Sequence, residues 1–263
     1  VFRTYNKMFW TACGGGFIVS FLCFIKTGIG NIPDTSPLFK AFFYSINYAV
    51  GFCAIYLTHM TLATKQPSMT AARLAQSLVP KSGSDLNIKD FTTLFAQLVR
   101  SQMIAFLGNV VAGFVVSFGI FYLLNTVLGF EVLKYSKAYH FWEEVVTMDW
   151  HIFYFGGIAG TFLFLSGLIS GMTINSQRFN NIPERVYNHP ILKKTFSVRK
   201  RRRISNWVEK NMGGIVGNVA FGFMMGCAFL LGDFTGFPFD IRHITFAAGN
   251  FAMGIGGMGY HFD

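Results

Sequence analysis

Apolar and polar residues in this chain are segregated into long blocks. Six apolar blocks stand out, at residues 8–25, 38–57, 104–124, 151–172, 212–231 and 241–260. Each is close to the roughly 20 residues that a helix needs to cross a ~30 Å hydrocarbon core. The sixth is interrupted by Gly249, Gly254, Gly256, Gly257 and Gly259. It is short, and either spans or forms a broken or re-entrant helix. The pattern predicts an all-α, polytopic helical membrane protein with about six transmembrane helices, organised as a single transmembrane domain over residues 1–263.

The segments between the blocks are equally patterned. Lys26–Pro37 (KTGIGNIPDTSP) is a linker of turn residues. The loop 58–103 begins polar, and Pro67-Ser68 starts an amphipathic helix with Met69, Leu74 and Leu78 as its apolar positions. Asp90 caps the next helix. Phe91, Leu94, Phe95, Leu98 and Val99 then follow the spacing of one buried stripe and lead without a break into the third span. Gly14-Gly15-Gly16 marks a close packing contact in the first span. Gly156-xxx-Gly160 and Gly167-xxx-Gly171 are the small-residue pairs of a tight helix crossing in the fourth. Trp142, Trp150 and Tyr154 suit a water–lipid boundary.

Composition excludes an ordinary soluble domain. Apolar residues make up 52% of the chain and charged residues 13%, against about 25% charged in a typical soluble protein. Mean hydropathy is +0.43. Cys13, Cys23, Cys53 and Cys227 all lie in apolar runs without a CxxC, and read as buried small hydrophobes. Val1 in place of an initiator Met, with no signal peptide behind it, reads as a fragment or the ordered part of a longer chain.

Net charge is +10, and its distribution sets an orientation. The loop 173–211 holds ten of the 22 Lys and Arg residues, and the positive-inside rule puts it in the cytoplasm together with the loop 58–103. Alternating across six spans leaves seventeen Lys/Arg inside. Lys26, Lys40, Lys134, Lys137 and Arg242 remain outside. This predicts a multi-pass membrane protein with both termini cytoplasmic.

Four groups of residues carry candidate chemistry. His59, Thr61, Thr64, Lys65 and Gln66 set a cation and hydroxyls at a membrane edge, suited to an anion, a lipid headgroup or a substrate carboxylate. Their structural alternative is a snorkelling Lys65 with hydroxyls bonded to backbone carbonyls. Asp240, Arg242 and His243 place an ionisable cluster where the sixth block begins. In the six-span topology this cluster faces the side opposite Lys65, and one site combining both requires a broken sixth helix. Arg199, Lys200, Arg201, Arg202 and Arg203 form a basic patch for anionic lipid or DNA phosphates, without a helix-turn-helix or zinc-finger spacing. His140-x-x-Glu143 and Asp149-x-His151 have no second carboxylate–histidine pair, so no metal is expected, and no cofactor motif is present.

Two stretches resemble a known family. Asn47–Ala72 (NYAVGFCAIYLTHMTLATKQPSMTAA) and Gly236–Gly254 (GFPFDIRHITFAAGNFAMG) are similar to the bacterial transmembrane site-specific recombinases of the Gcr type. That family carries a His and a TLATKQPxMTAA run after an apolar helix, and a DIRHxTF run opening a late one. Here these are His59, Thr61–Ala72 and Asp240–Phe246. The resemblance implies a chain that is the membrane portion of a longer protein with a helical soluble region before it. The family name implies DNA strand exchange. A tyrosine recombinase needs a Tyr nucleophile among Arg and His groups, including His-x-x-Arg, and a serine recombinase needs an activated Ser near several Arg. Neither is readable here, because His243 is adjacent to Arg242 with no Arg three residues on. The reading from sequence is a non-enzymatic membrane module, either a scaffold in a larger assembly or a transporter. Its partners are membrane lipids, other membrane subunits or the missing soluble helical domain. The alternative is a recombinase or DNA-binding membrane protein.

Overall fold

The computed structural model describes residues 2–62, 88–147, 151–236, 241 and 243–259. Nine α-helices lie among them. α1 (Phe2–Gly30) and α2 (Pro37–Leu57) are joined by the predicted turn linker, and Ser36 caps α2 by accepting from the Phe39 N–H at 3.2 Å. α3 (Ile88–Tyr122) is the long helix expected across the soluble stripe and the third span, and a π-turn (Leu123–Val127) ends it. α4 (Tyr135–Val146) is amphipathic and lies in the connection before α5 (His151–Phe179). Two short helices, α6 (Ile182–Tyr187) and α7 (Pro190–Thr195), precede α8 (Val198–Thr235) and α9 (Ile244–Gly257).

Five helices are long and apolar enough to cross a membrane: Tyr5–Gly30, Pro37–Leu57, Phe91–Val127, Phe153–Phe179 and Val198–Gly232. They pack in a row, α5 on α8, α8 on α2, α2 on α1 and α1 on α3, with α9 nested against α1, α3 and α4. Glycines set the close approaches. A Cβ on Gly16 would stand 2.6 Å from the Asn109 carbonyl and 2.9 Å from the Gly113 amide, so Gly14-Gly15-Gly16 does mark a tight α1–α3 crossing. Gly222 and Gly226 meet the backbones of Ala49 and Ser45 on α2 in the same way.

The sixth block takes the short, broken form that its glycines allowed. α9 has 14 residues, about 21 Å at 1.5 Å per residue, short of a ~30 Å core. It starts halfway along its neighbours. Thr245 lies against Gly113, Gly249 against Ser117 and Cys23, and Gly256 against Phe121. α9 therefore runs parallel to α1 and α3 and finishes at the end of the bundle where α8 stops at Gly236. Ile241, before it, is buried beside Lys26, Tyr44 and Phe229 nearer that same end, whereas the His243 ring sits 6.3 Å from that of Phe52, deeper in. The chain dips into the bundle and returns, so the segment is re-entrant. The charge count could not reveal this, because no Lys or Arg follows Arg242.

Two further expectations change. Leu94, Phe95 and Val99 are exposed, so the stripe at the start of α3 is not buried against any described residue. The glycines of α5 meet nothing: a Cβ on Gly156, Gly160, Gly167 or Gly171 finds no atom within 4 Å. α5 instead packs on α8 through Ser166, Ser170 and Ile174, which touch Gly213 and Gly217 of that helix. The proposed Pro67 helix lies outside the described residues.

Candidate functional site

The two unusual stretches meet inside the bundle, at a residue that belongs to neither. α2 stops at Leu57, and His59 takes a left-handed backbone with φ 57°, just past the C-cap Thr58. That turn swings Thr61 back against α1. The Thr61 N–H donates to the Thr11 carbonyl at 3.0 Å, and its hydroxyl donates to Thr11 Oγ1 at 3.0 Å. The Thr61 carbonyl in turn accepts from Asn109 Nδ2 at 3.0 Å. Asn109, on α3, is fully buried and also donates to the carbonyls of Ala12 at 3.3 Å and Ala105 at 2.9 Å. Its Oδ1 accepts the Thr245 hydroxyl at 3.4 Å. One amide thereby joins α1, the end of α2, α3 and the start of α9.

His243 opens α9 as its N-cap. It is 5% exposed, and its Nδ1 accepts from the Thr245 N–H at 3.3 Å. A helix N-terminus inside a bilayer leaves amide donors without water, and a side chain that accepts one of them lowers that cost. Its ring is held near Phe52 and Phe246. The Cys23 thiol donates to the Phe246 carbonyl at 3.8 Å. The His243 ring thus acts on the backbone of α9, the Thr245 hydroxyl on the Asn109 side chain, and Thr61 on Thr11 of α1.

His59 is exposed and on the turn, away from this cluster. Thr64, Lys65, Gln66, Asp240 and Arg242 lie outside the described residues. α2 ends at Leu57, so Thr61 does not continue that helix. The broken sixth helix that a joint site required is present as α9.

The basic run forms the first turns of α8. Arg199, Lys200, Arg202 and Arg203 are exposed. Arg201 turns inward. Its Nη1 donates to the Tyr187 carbonyl at 3.2 Å, and its guanidinium lies 4.8 Å from the Tyr187 ring. With the Ser205 hydroxyl donating to the Pro183 carbonyl at 2.7 Å, it fastens α6 onto α8. His140 pairs with Glu144 at 3.0 Å, one turn along α4, rather than with Glu143.

A family model described as "Site-specific recombinase" matches residues 2–263. The chain belongs to this family. No curated protein and no solved structure matches it. Thr61, His243 and Thr245 of the two distinctive stretches lie at the contact between α9 and the helices around it.

Asn109 escaped the sequence reading, which took 104–124 as wholly apolar. A signal was available. An amide in the middle of a span has to find partners in the protein, because lipid offers none.

Proposed function

We propose that this chain is a non-enzymatic membrane module of the recombinase family, acting as a scaffold in a larger assembly in the bacterial inner membrane. The observation that carries the proposal is the bonding of Asn109. The most distinctive described residues, Thr61, His243 and Thr245, bind backbone groups or Asn109, all within the bundle. Strand exchange needs a nucleophile and several cations around a phosphate in a groove as wide as a duplex. Residues buried between spans offer neither. The exposed cations Arg199, Lys200, Arg202 and Arg203 stand one helix turn apart or less at the end of the bundle where α1 begins. They suit anionic lipid headgroups, worth ~1 kcal/mol for each cation near the surface. With that end cytoplasmic, the seventeen-to-five distribution of Lys and Arg is unchanged by the loss of a sixth span.

A trap for covalent adducts tests this directly. The full-length protein in detergent is incubated with labelled duplex DNA and run on a denaturing gel. The expected result is no labelled band at protein mass, and any binding seen without denaturation falling steeply with salt. A labelled band that disappears on mutating one Tyr or Ser makes the protein a recombinase and overturns the proposal.

A transporter is the second reading, and α9 is the observation that favours it. Discontinuous half-helices with their N-termini in the bilayer frame substrate sites in many transporters. His243, Thr245 and Asn109 at the start of α9 are bonded within the protein, which favours the scaffold, whereas Ser117 Oγ one turn further on is buried without a partner.

A further inference from the structure

The five Lys/Arg residues on the non-cytoplasmic side in this orientation are Lys26, Lys40, Lys134, Lys137 and Arg242. Three of them, from three different helices, converge. Lys26 of α1 has its Nζ 5.5 Å from the ring centroids of both Tyr44 and Tyr48 on α2. Lys40 precedes Tyr44 by one turn on the same face of α2. Lys137 of α4 reaches over the end of α1. Its ammonium and the Tyr44 hydroxyl both crowd Gly30, standing 3.4 Å and 2.9 Å from where a Cβ would be. Lys137 donates to the Asn31 amide oxygen at 2.8 Å, a neutral partner and not a carboxylate. Burial, and then the fields of Lys26 and Lys40, hold the Lys137 ammonium below its ordinary pKa. Beside the cluster is a cavity of about 60 Å³ lined by Lys26, Tyr44, Tyr48, Met225, Phe229 and Ile241. That is room for about two waters at ~30 Å³ each, or for one small oxyanion.

We propose that Lys26, Lys40 and Lys137, with the Tyr44 hydroxyl, form a binding site for a phosphate-type oxyanion at the end of the bundle opposite the Arg199–Arg203 run. Three cations drawn together in a half-buried place repel one another, and a multivalent anion offsets that repulsion. Phenol and ammonium donors from separate helices suit an acceptor with several oxygens. Lys26 keeps other interactions of its own, so the oxyanion joins an existing polar cluster. The positive-inside rule disfavours lysines on this side, and a ligand for them explains why they gather at one point. The phosphate comes either from a lipid headgroup in that leaflet or from a free anion.

Lysine reactivity tests this on the full chain. An amine-acylating reagent is applied to protein in neutral detergent with and without millimolar inorganic phosphate. It is also applied to protein in nanodiscs of phosphatidylglycerol and of neutral galactolipid, and each lysine is followed by mass spectrometry. Anion binding favours the unreactive ammonium and is expected to slow Lys137 acylation several-fold, while exposed Lys134 is unchanged. Protection by phosphate in detergent identifies a free anion. Protection confined to phosphatidylglycerol identifies a lipid headgroup. Lys26→Gln, eluting as the native protein does, loses the protection. Equal Lys137 rates in all four conditions overturn the proposal.

Discussion

Asn109→Ala is expected to destabilise the protein by about 2–4 kcal/mol, because it removes the amide hydrogens shared among the Ala12, Ala105 and Thr61 carbonyls and the oxygen that accepts from Thr245. The residue is fully buried, and its amide donates to the carbonyls of Ala12, Ala105 and Thr61. Two of these bonds have consequences beyond their own strength. The Thr61 carbonyl belongs to the turn that ends α2, and Thr245 belongs to the half-helix α9. Alanine removes an amide that bonds to both. The rest of α9 is held by Gly249 and Gly254 packed against Cys23, Ser117 and Ala138 and by the weak bond from the Cys23 thiol to the Phe246 carbonyl. The measurement is the thermal unfolding midpoint in mild detergent, together with the reactivity of a cysteine placed at Thr245 toward a small thiol reagent. A lowered midpoint and a newly reactive position 245 are expected. An unchanged midpoint contradicts the role given to Asn109.

Gly222→Val and Gly226→Val are each expected to cost about 3 kcal/mol or more, at or above the usual range for overpacking, and the double variant is expected not to fold. The added side chains run into the Ala49 and Ser45 backbones, and a helix backbone cannot step aside as a flexible side chain does. The contact also carries a hydrogen bond, from the Ser45 hydroxyl to the Phe223 carbonyl at 3.4 Å, which separates if α8 is pushed away. Gly160→Val and Gly167→Val serve as the contrast. They lie on the open face of α5, so each is expected to change stability by less than about 1 kcal/mol, within the range of helix propensity alone. Size-exclusion profiles of the four variants read the difference. Equal behaviour of the two pairs contradicts the helix order α5, α8, α2.

What the sequence revealed and what it hid have separate physical causes. Five spans were legible because hydrocarbon thickness sets their length, and each apolar block met it without help from its neighbours. The long continuous α3 was legible for a related reason, since nothing between Asp90 and Tyr122 breaks a helix. The glycine triplet of α1 announced a close contact correctly. The paired glycines of α5 announced one that this chain does not make, because spacing shows that a face is small and not that another helix sits on it. α9 was ambiguous for a deeper reason. A glycine-broken apolar block is compatible with a span or a re-entrant helix, and the difference lies in contacts to Gly113, Ser117 and Phe121, far away in the chain. Of the candidate site, His243 and Thr61 were singled out for their polarity, and both lie at the junction of α9, α1 and the end of α2. Their polarity suggested ligands, and their side chains cap α9 and pin the end of α2. Asn109, which connects them, lies 48 residues from one and 136 from the next contact, Thr245, and no local pattern reveals such a bridge.

The central structural claim is that α9 enters the bundle and leaves by the same end, so that five helices cross the membrane. The most direct test places single cysteines at Gly259, Asn31 and Lys200 in a chain lacking Cys13, Cys23, Cys53 and Cys227. Each is then labelled in intact cells with a maleimide that cannot cross the inner membrane. The prediction is that positions 259 and 31 label in intact cells and position 200 labels only after the membrane is opened. Position 259 behaving as position 200 does would mean that the sixth segment spans, and the re-entrant account would be wrong.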